Sequence, residues 1–455
     1  MKFRKARFSG MLMMMILFGC AVVFAGGSQS GSSGSKPAAS GPAQVFTVKV
    51  WGGVPAENGP QAAVNAFNAE FKSKGIQAEY TRFVNDNNGN LQLETNLLSG
   101  NSVDVYMNYT QAVLTKRVDS NMALDQGPLI TRDKFDIAGF GEANLAQWYI
   151  NGKLYGFPTT NNGAAFCTMI NKDMFDAAGI PIPTKWTYSQ FRDIAKKLTK
   201  GDGANKVYGA FFNTNQFIGA PLFHGLSLKP DWQYGPNNKS SRYNQEPAVK
   251  ESIQFAVNVM NVDKSAPTHA DTVSQKLTQE GMFLSGRAAM TFGAWIVRNV
   301  KDTTNFPHTF VTAFAPYPVS DIYPAISNPG GVGDVMAINP KSKNIDACWE
   351  YIKWYSTKGI VAMAAGGRLG LYKGLDQKAL TDAFLKGAEK LLDPATTQSA
   401  YIAPRPNIAY PTITYKAPEL DQIWQETLEA IYNGKMTIDA GLADCQARAD
   451  KVLAQ

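Results

Sequence analysis

Histidine is scarce in this chain. Only His224, His269 and His308 occur in 455 residues, and no two stand at the i, i+3 or i+4 spacing that puts two imidazoles on one helix face. Cysteine is as thin: Cys20, Cys167, Cys348 and Cys445, with no CxxC pair and no Cys/His cluster at metal spacing. A metal centre therefore has no ligand set to build on. The apolar neighbours of Cys167, Cys348 and Cys445 read as sites for buried free thiols, with one disulfide open to them in an oxidising compartment. GxSxG, HExxH and P-loop patterns are absent, so no catalytic residue and no cofactor is assigned. No run of Lys/Arg follows residue 25, and four positive charges (Lys2, Arg4, Lys5, Arg7) precede it, leaving +3 of the formal +7 beyond them. That balance is too weak for a nucleic-acid partner.

The start of the chain carries what the rest lacks. Residues 1–25 read as an export signal: a basic n-region, then an apolar stretch over 11–24 that is too short to span a bilayer comfortably. Two processing routes stay open. Cleavage after Ala25 follows Val23-Phe24-Ala25. Alternatively Leu17-Phe18-Gly19-Cys20 resembles a lipobox, with Cys20 as the acylated residue. Either route predicts an exported protein, in the periplasm or at the cell surface, anchored by lipid in the second case. Residues 26–44 are rich in Gly and Ser and read as a flexible linker that cannot bury enough apolar area to order itself.

The remaining chain, about 410 residues, is too long for one core and predicts two lobes. Residues 45–51 (VFTVKVW) alternate as a strand. Residues 57–74 carry Ala63, Phe67 and Phe71 at helical spacing. Residues 76–83 and 103–107 read as strands around a helix at 91–99, giving β-α-β-α-β, the arithmetic of a parallel α/β lobe. Residues 151–199 run through a Gly turn, two strands, a helix, a Pro-rich turn and another helix. Residues 207–212 read as a strand. The tail is mostly helical, over 376–392, 419–433 and 438–453. No internal repeat occurs.

Several blocks then line up in order. They are Gly152-Lys153-Leu154-Tyr155-Gly156-Phe157-Pro158, Asn171-Lys172-Asp173-Met174-Phe175, Ala178-Gly179-Ile180-Pro181 and Trp186. Phe283-Leu284-Ser285-Gly286-Arg287-Ala288-Ala289-Met290, Gly293-Ala294-Trp295, Asn339-Pro340-Lys341-Ser342 and the closing Asn433-Gly434-Lys435 follow. Their order and spacing resemble bacterial extracellular solute-binding proteins of ABC transporters, family 1, the maltose- and sugar-binding kind. The resemblance implies an α/β, two-lobe periplasmic-binding-protein fold of type II, maltose-binding-like, with a helical C-terminal part. Lobe one would take 45–155 plus 316–360, and lobe two 156–315 plus 361–455. It implies a monomer that is no enzyme, that captures a neutral sugar or oligosaccharide between its lobes and delivers it to an ABC permease in the cytoplasmic membrane. The rival readings are an exported carbohydrate-active enzyme using two carboxylates and a receptor for a non-sugar solute.

Open α/β lobes bind at the carboxyl ends of their strands. A sugar offers apolar faces to aromatic rings and a hydroxyl rim to polar side chains. On that basis Trp51, Tyr109, Trp232 and Trp295 are expected to supply faces. Asn108, Asn162, Asn328 and Arg368 are expected on the rim, and Gly330 and Gly331 would let the main chain come close. The resemblance implies the stacking role of Trp295. Trp349 and Trp354, on a helix with apolar periodicity, are expected in the core. The loops are poor in fixed charge, which predicts an uncharged ligand.

Overall fold

The structure, a computed structural model, describes residues 45–455 apart from 101, 147, 162–166, 213–230, 324–331, 404–412 and 414. The export signal, Cys20 and the linker lie outside the described residues. So do Asn162, Asn328, Gly330 and Gly331.

Eleven strands are described: β1 (Phe46–Gly52), β2 (Ile76–Arg82), β3 (Val105–Asn108), β4 (Tyr149–Ile150), β5 (Lys153–Leu154), β6 (Phe157–Asn161), β7 (Thr168–Asn171), β8 (Met290–Phe292), β9 (Thr312–Ala315), β10 (Val332–Ile338) and β11 (Leu369–Gly370). Six of them form one sheet in the order β11-β6-β10-β3-β1-β2. β1 runs parallel to β2 and β3, whereas β10 runs antiparallel to β3 and β6. The parallel half follows from the helices Pro60–Phe71 and Asn87–Ser99, which return the chain to the same sheet edge after each strand. A second sheet, β8-β7-β9, is antiparallel throughout. β4 and β5 make a hairpin closed by Asn151 (φ 49°) and Gly152 (φ 74°), the two left-handed residues that a tight turn of this twist requires.

Two hydrophobic cores are described, and β7 and β9 of the second sheet contribute to both. Val48, Val50, Phe67, Leu93, Val105 and Phe157 belong to the first, joined by the helix Ile345–Thr357. Trp349 and Trp354 are buried there, as their spacing predicts. Their indole N–H groups donate to Asp133 Oδ2 (3.0 Å) and Glu70 Oε2 (2.8 Å), so the polar end of each ring is satisfied. The second core gathers Ile170, Phe191, Ile253, Phe292, Trp424 and Leu442. Its helix Tyr188–Leu198 opens with a capping box, Thr187 and Gln190 satisfying each other's main-chain N–H groups. The C-terminal helices Ala417–Tyr432 and Ile438–Leu453 cross closely at Gly441, where a Cβ would stand 2.7 Å from the Ile431 side chain.

Three sequence expectations shift. Strands at 157–161 and 369–370, assigned by sequence to the second lobe, pair within the first sheet. Phe384 and Tyr401 pack on Phe314 of β9, in the core to which both sheets contribute. The handover between sheets thus falls between β6 and β7, and between β9 and β10. Residues 207–212 form only isolated bridges, from Tyr208 and Phe211 to Ala288 and Thr291. Gly209 is pressed there against the end of the helix Tyr188–Leu198; a Cβ on it would meet Ala195 O at 1.9 Å. The helix expected over 376–392 stops at Leu385, because Gly387 turns left-handed (φ 78°).

Candidate functional site

The carboxyl end of β1 sets the geometry. Trp51 is buried in the first core, and the chain then turns through Gly52 and Gly53. A Cβ on Gly52 would lie 2.9 Å from the Tyr80 hydroxyl, and one on Gly53 would lie 3.1 Å from the Tyr109 ring. Glycine at these positions lets two tyrosines stand directly against the main chain. The Gly53 amide donates to Tyr109 Oη at 2.6 Å, and the Tyr80 hydroxyl donates to Val54 O at 2.6 Å. Burial pushes both phenols above their ordinary range, so each is a neutral, fixed group near neutral pH.

The second part of this wall comes from β10 and from the residue that precedes β11. Arg368 Nε donates to Asp334 Oδ2 at 2.7 Å, with Asp334 only 7% exposed and Arg368 26%. Burial works against the charge on Arg368. Asp334 outweighs it, so the guanidinium stays protonated with its pKa raised. Asp334 holds a left-handed conformation (φ 47°) rare for a residue with a Cβ, and its carbonyl accepts from Thr159 Oγ1 at 2.6 Å. Such strain is maintained by the partners on both sides of the residue and concentrates where geometry matters.

The third part arrives from the second sheet. After β8 and Gly293, residues Ala294–Ile296 form a 3₁₀ turn that continues into the helix Val297–Val300. Val297 leans on Gly367: a Cβ on that glycine would stand 2.3 Å from Val297 Cγ1. The loop bearing Trp295 and Arg298 therefore meets the segment bearing Arg368. Trp295 and Arg298 are half-buried, while Ala294, Ile296, Val297 and Val300 are buried.

The expected residues fall into distinct places. Trp295 packs against the edge of the first core, half-open, and Arg368 and Tyr109 stand in the wall described above. Asn108 is fully buried. Its Oδ1 accepts from Arg117 Nη1 at 2.7 Å and its Nδ2 donates to Val335 O at 3.5 Å, so its polar atoms are engaged inside the protein. Trp232 requires a correction. It is fully buried in the second core, edge-on to Tyr243 (5.5 Å) and Trp424 (6.0 Å), where three aromatic rings exclude water and leave it no exposed face to offer a sugar. Trp51 is 8% exposed and packs in the first core.

Sequence reasoning missed Tyr80, Arg82, Arg298 and Asp334. Arg82 closes β2 in register with Gly52, so the strand-end rule that selected Trp51 applies to it equally. Arg298 stands three residues beyond Trp295, on the same side of a helical turn. Asp334 carried no local signal. Among the described residues no three His, Cys, Asp or Glu gather as a metal site.

Comparison with known proteins agrees with this architecture. The family model described as bacterial extracellular solute-binding protein matches residues 55–362. A putative binding protein of Brucella abortus is 22% identical over 318 residues, covering 69% of this chain and 71% of that protein. Among solved structures, a sugar transporter of Rhizobium etli in an open conformation superposes with a TM-score of 0.71 at 21% identity, over 89% of this chain and 99% of that one. An ABC substrate-binding protein of Listeria monocytogenes in complex with cycloalternan gives a TM-score of 0.68 at 18% identity, over 90% and 99%. The shared fold is the two-lobe α/β binding-protein fold. With the family model spanning well over half of its length, the chain belongs to the bacterial extracellular solute-binding proteins.

Proposed function

We propose that this protein is the sugar-capturing component of an ABC importer. It binds a saccharide between its two lobes and presents it to a membrane permease without chemical change. The observation that carries this reading is the wall at the carboxyl ends of β1 and β2 and the amino-terminal end of the antiparallel β10. There glycine turns bring phenols and main-chain groups together, the Arg368–Asp334 pair fixes a charged rim, and Trp295 approaches from the other sheet. Such a surface combines aromatic faces with rigid donors and acceptors, which is what a polyhydroxylated ring requires. The relatives at hand include a sugar transporter and a binding protein in complex with cycloalternan. The chain crosses between sheets more than once, an arrangement suited to hinge closure around a ligand.

We assign the protein to the exported side of the membrane as a monomer, with Ala25 cleavage or Cys20 acylation as the two processing routes. Mass spectrometry of the mature N-terminus distinguishes them. Titration calorimetry against a saccharide panel tests the binding role. The Trp295→Ala variant is expected to lose about 2–4 kcal/mol of affinity, the effect of removing a large, partly buried aromatic. Unchanged affinity in that variant would remove Trp295 from the site. Release of shorter products from an oligosaccharide substrate would overturn the transport reading in favour of an enzyme.

A further inference from the structure

Arginines gather at this wall. Arg82 lies exposed at the end of β2, opposite Gly52. Arg368 is engaged with Asp334. Arg298 has neither an ion pair nor a hydrogen bond among the described residues, although it is half-buried. The acid that bears on Arg298 is Glu280 on the helix Gln279–Phe283, which forms no salt bridge with it among the described residues, while Arg368 and Arg82 act on it as like charges. Two like charges and one carboxylate thus bear on Arg298.

The placement of Arg298 gives this excess a direction. Residues 294–300 wind as about two helical turns, and the i, i+3 spacing puts positions 295 and 298 on one side. Trp295, Arg298 and Asn299 stay half-open while 294, 296, 297 and 300 are closed. An aromatic residue and an arginine thus stand at i, i+3 spacing on the loop whose Val297 meets Gly367, next to Arg368.

We propose that the ligand is an acidic saccharide, and that Arg298 reads its anionic group through a guanidinium–oxyanion pair while the ring lies on Trp295. This rests on the saccharide reading given above and departs from the uncharged ligand that loop composition alone predicts. A guanidinium matches a carboxylate or a phosphate with two parallel hydrogen bonds, and it does so best when partly desolvated. Burial and the like charge of Arg368 lower the pKa of Arg298, and an anion beside the guanidinium would oppose both effects.

The test uses the full mature protein and titration calorimetry with galacturonic acid against galactose, glucuronic acid against glucose, and glucose 6-phosphate as the phosphate arm, each with the corresponding short oligosaccharides where available. Wild type is expected to bind at least one acidic form about ten- to a hundredfold more tightly than its neutral parent. The carboxylate and phosphate arms identify which anion is read. Arg298→Gln should weaken the acidic form at least about tenfold more than the neutral one, and Arg298→Lys should restore part of the preference. Melting temperatures of both variants confirm that they fold. Equal or tighter binding of neutral sugars by wild type overturns the acidic assignment and leaves the saccharide reading standing, as does an equal loss for both forms in Arg298→Gln. Absence of binding across the whole panel overturns both.

Discussion

Asn108 distinguishes a binding residue from a scaffold residue, and one substitution separates the two. Its side chain is fully buried at the end of β3. Its Oδ1 accepts from Arg117 Nη1 at 2.7 Å, and Arg117 is itself fully buried, donating also to Asn90 Oδ1 at 2.7 Å and lying 3.4 Å from Glu94 Oε1. Asn108→Ala removes a charge-assisted hydrogen bond and leaves one guanidinium nitrogen unmatched in a dry site. A hydrogen bond to a charged group contributes about 1.5–3 kcal/mol. The main-chain acceptor contact to Val335 is long and adds little. The variant should therefore lose about 2–3 kcal/mol of stability, a drop of about 2–4 °C in Tm for a chain of this size. Asn108→Asp should hold stability within about 1 kcal/mol, because a carboxylate pairs with Arg117 in the same geometry. Urea denaturation followed by tryptophan fluorescence measures the first quantity, and calorimetry measures ligand affinity. A variant with an unchanged urea midpoint and a tenfold weaker ligand would refute the scaffold assignment and return Asn108 to the binding rim.

Gly367→Ala should destabilise by about 2–4 kcal/mol, since the residue sits at φ 83° and the new Cβ would meet Val297 Cγ1 at 2.3 Å; a neutral outcome would mean the two segments do not touch. Burial pushes the thiols of Cys348 and Cys445 up to about 12, and Cys167 is buried too. All three should resist iodoacetamide at pH 8 until the chain unfolds, and fast labelling of the native protein would contradict their burial. Lys301 donates to Ala365 O (3.0 Å) and to Phe384 O, and burial lowers its pKa to about 8. Between about pH 8 and 10.4 the unfolded chain keeps a proton that the folded amine has released, so this group makes stability rise with pH across that window. Wild type should gain about 1 kcal/mol on Lys301→Met between pH 7.5 and 9.5, the ideal figure of about 2 being reduced for partial exposure. A pH-independent difference between the two proteins would show that Lys301 is solvated.

Local periodicity settled much of this protein in advance. Alternation at 45–51 and helical spacing at 57–74 and 344–357 reappear as β1, the helix Pro60–Phe71 and the helix Ile345–Thr357, because each pattern defines one apolar face that has to be buried. The order of motifs through Trp295 and Lys341 likewise gave the family without any coordinates. Burial of an individual aromatic was not local information. Trp232 and Trp295 lie in comparable aromatic surroundings in the sequence, yet one is enclosed by Tyr243 and Trp424 and the other stays half-open. The convergence of charged side chains was not local information either. Arg82, Arg298 and Arg368 each look isolated in a loop of modest charge, and the sheet order, together with the packing of Val297 on Gly367, sets them within electrostatic reach of one another. A sequence encodes which face of an element is apolar through its near neighbours. Which polar ends then converge depends on how β1, β2, β10 and the loop after β8 are stacked, and that is decided only when the cores close.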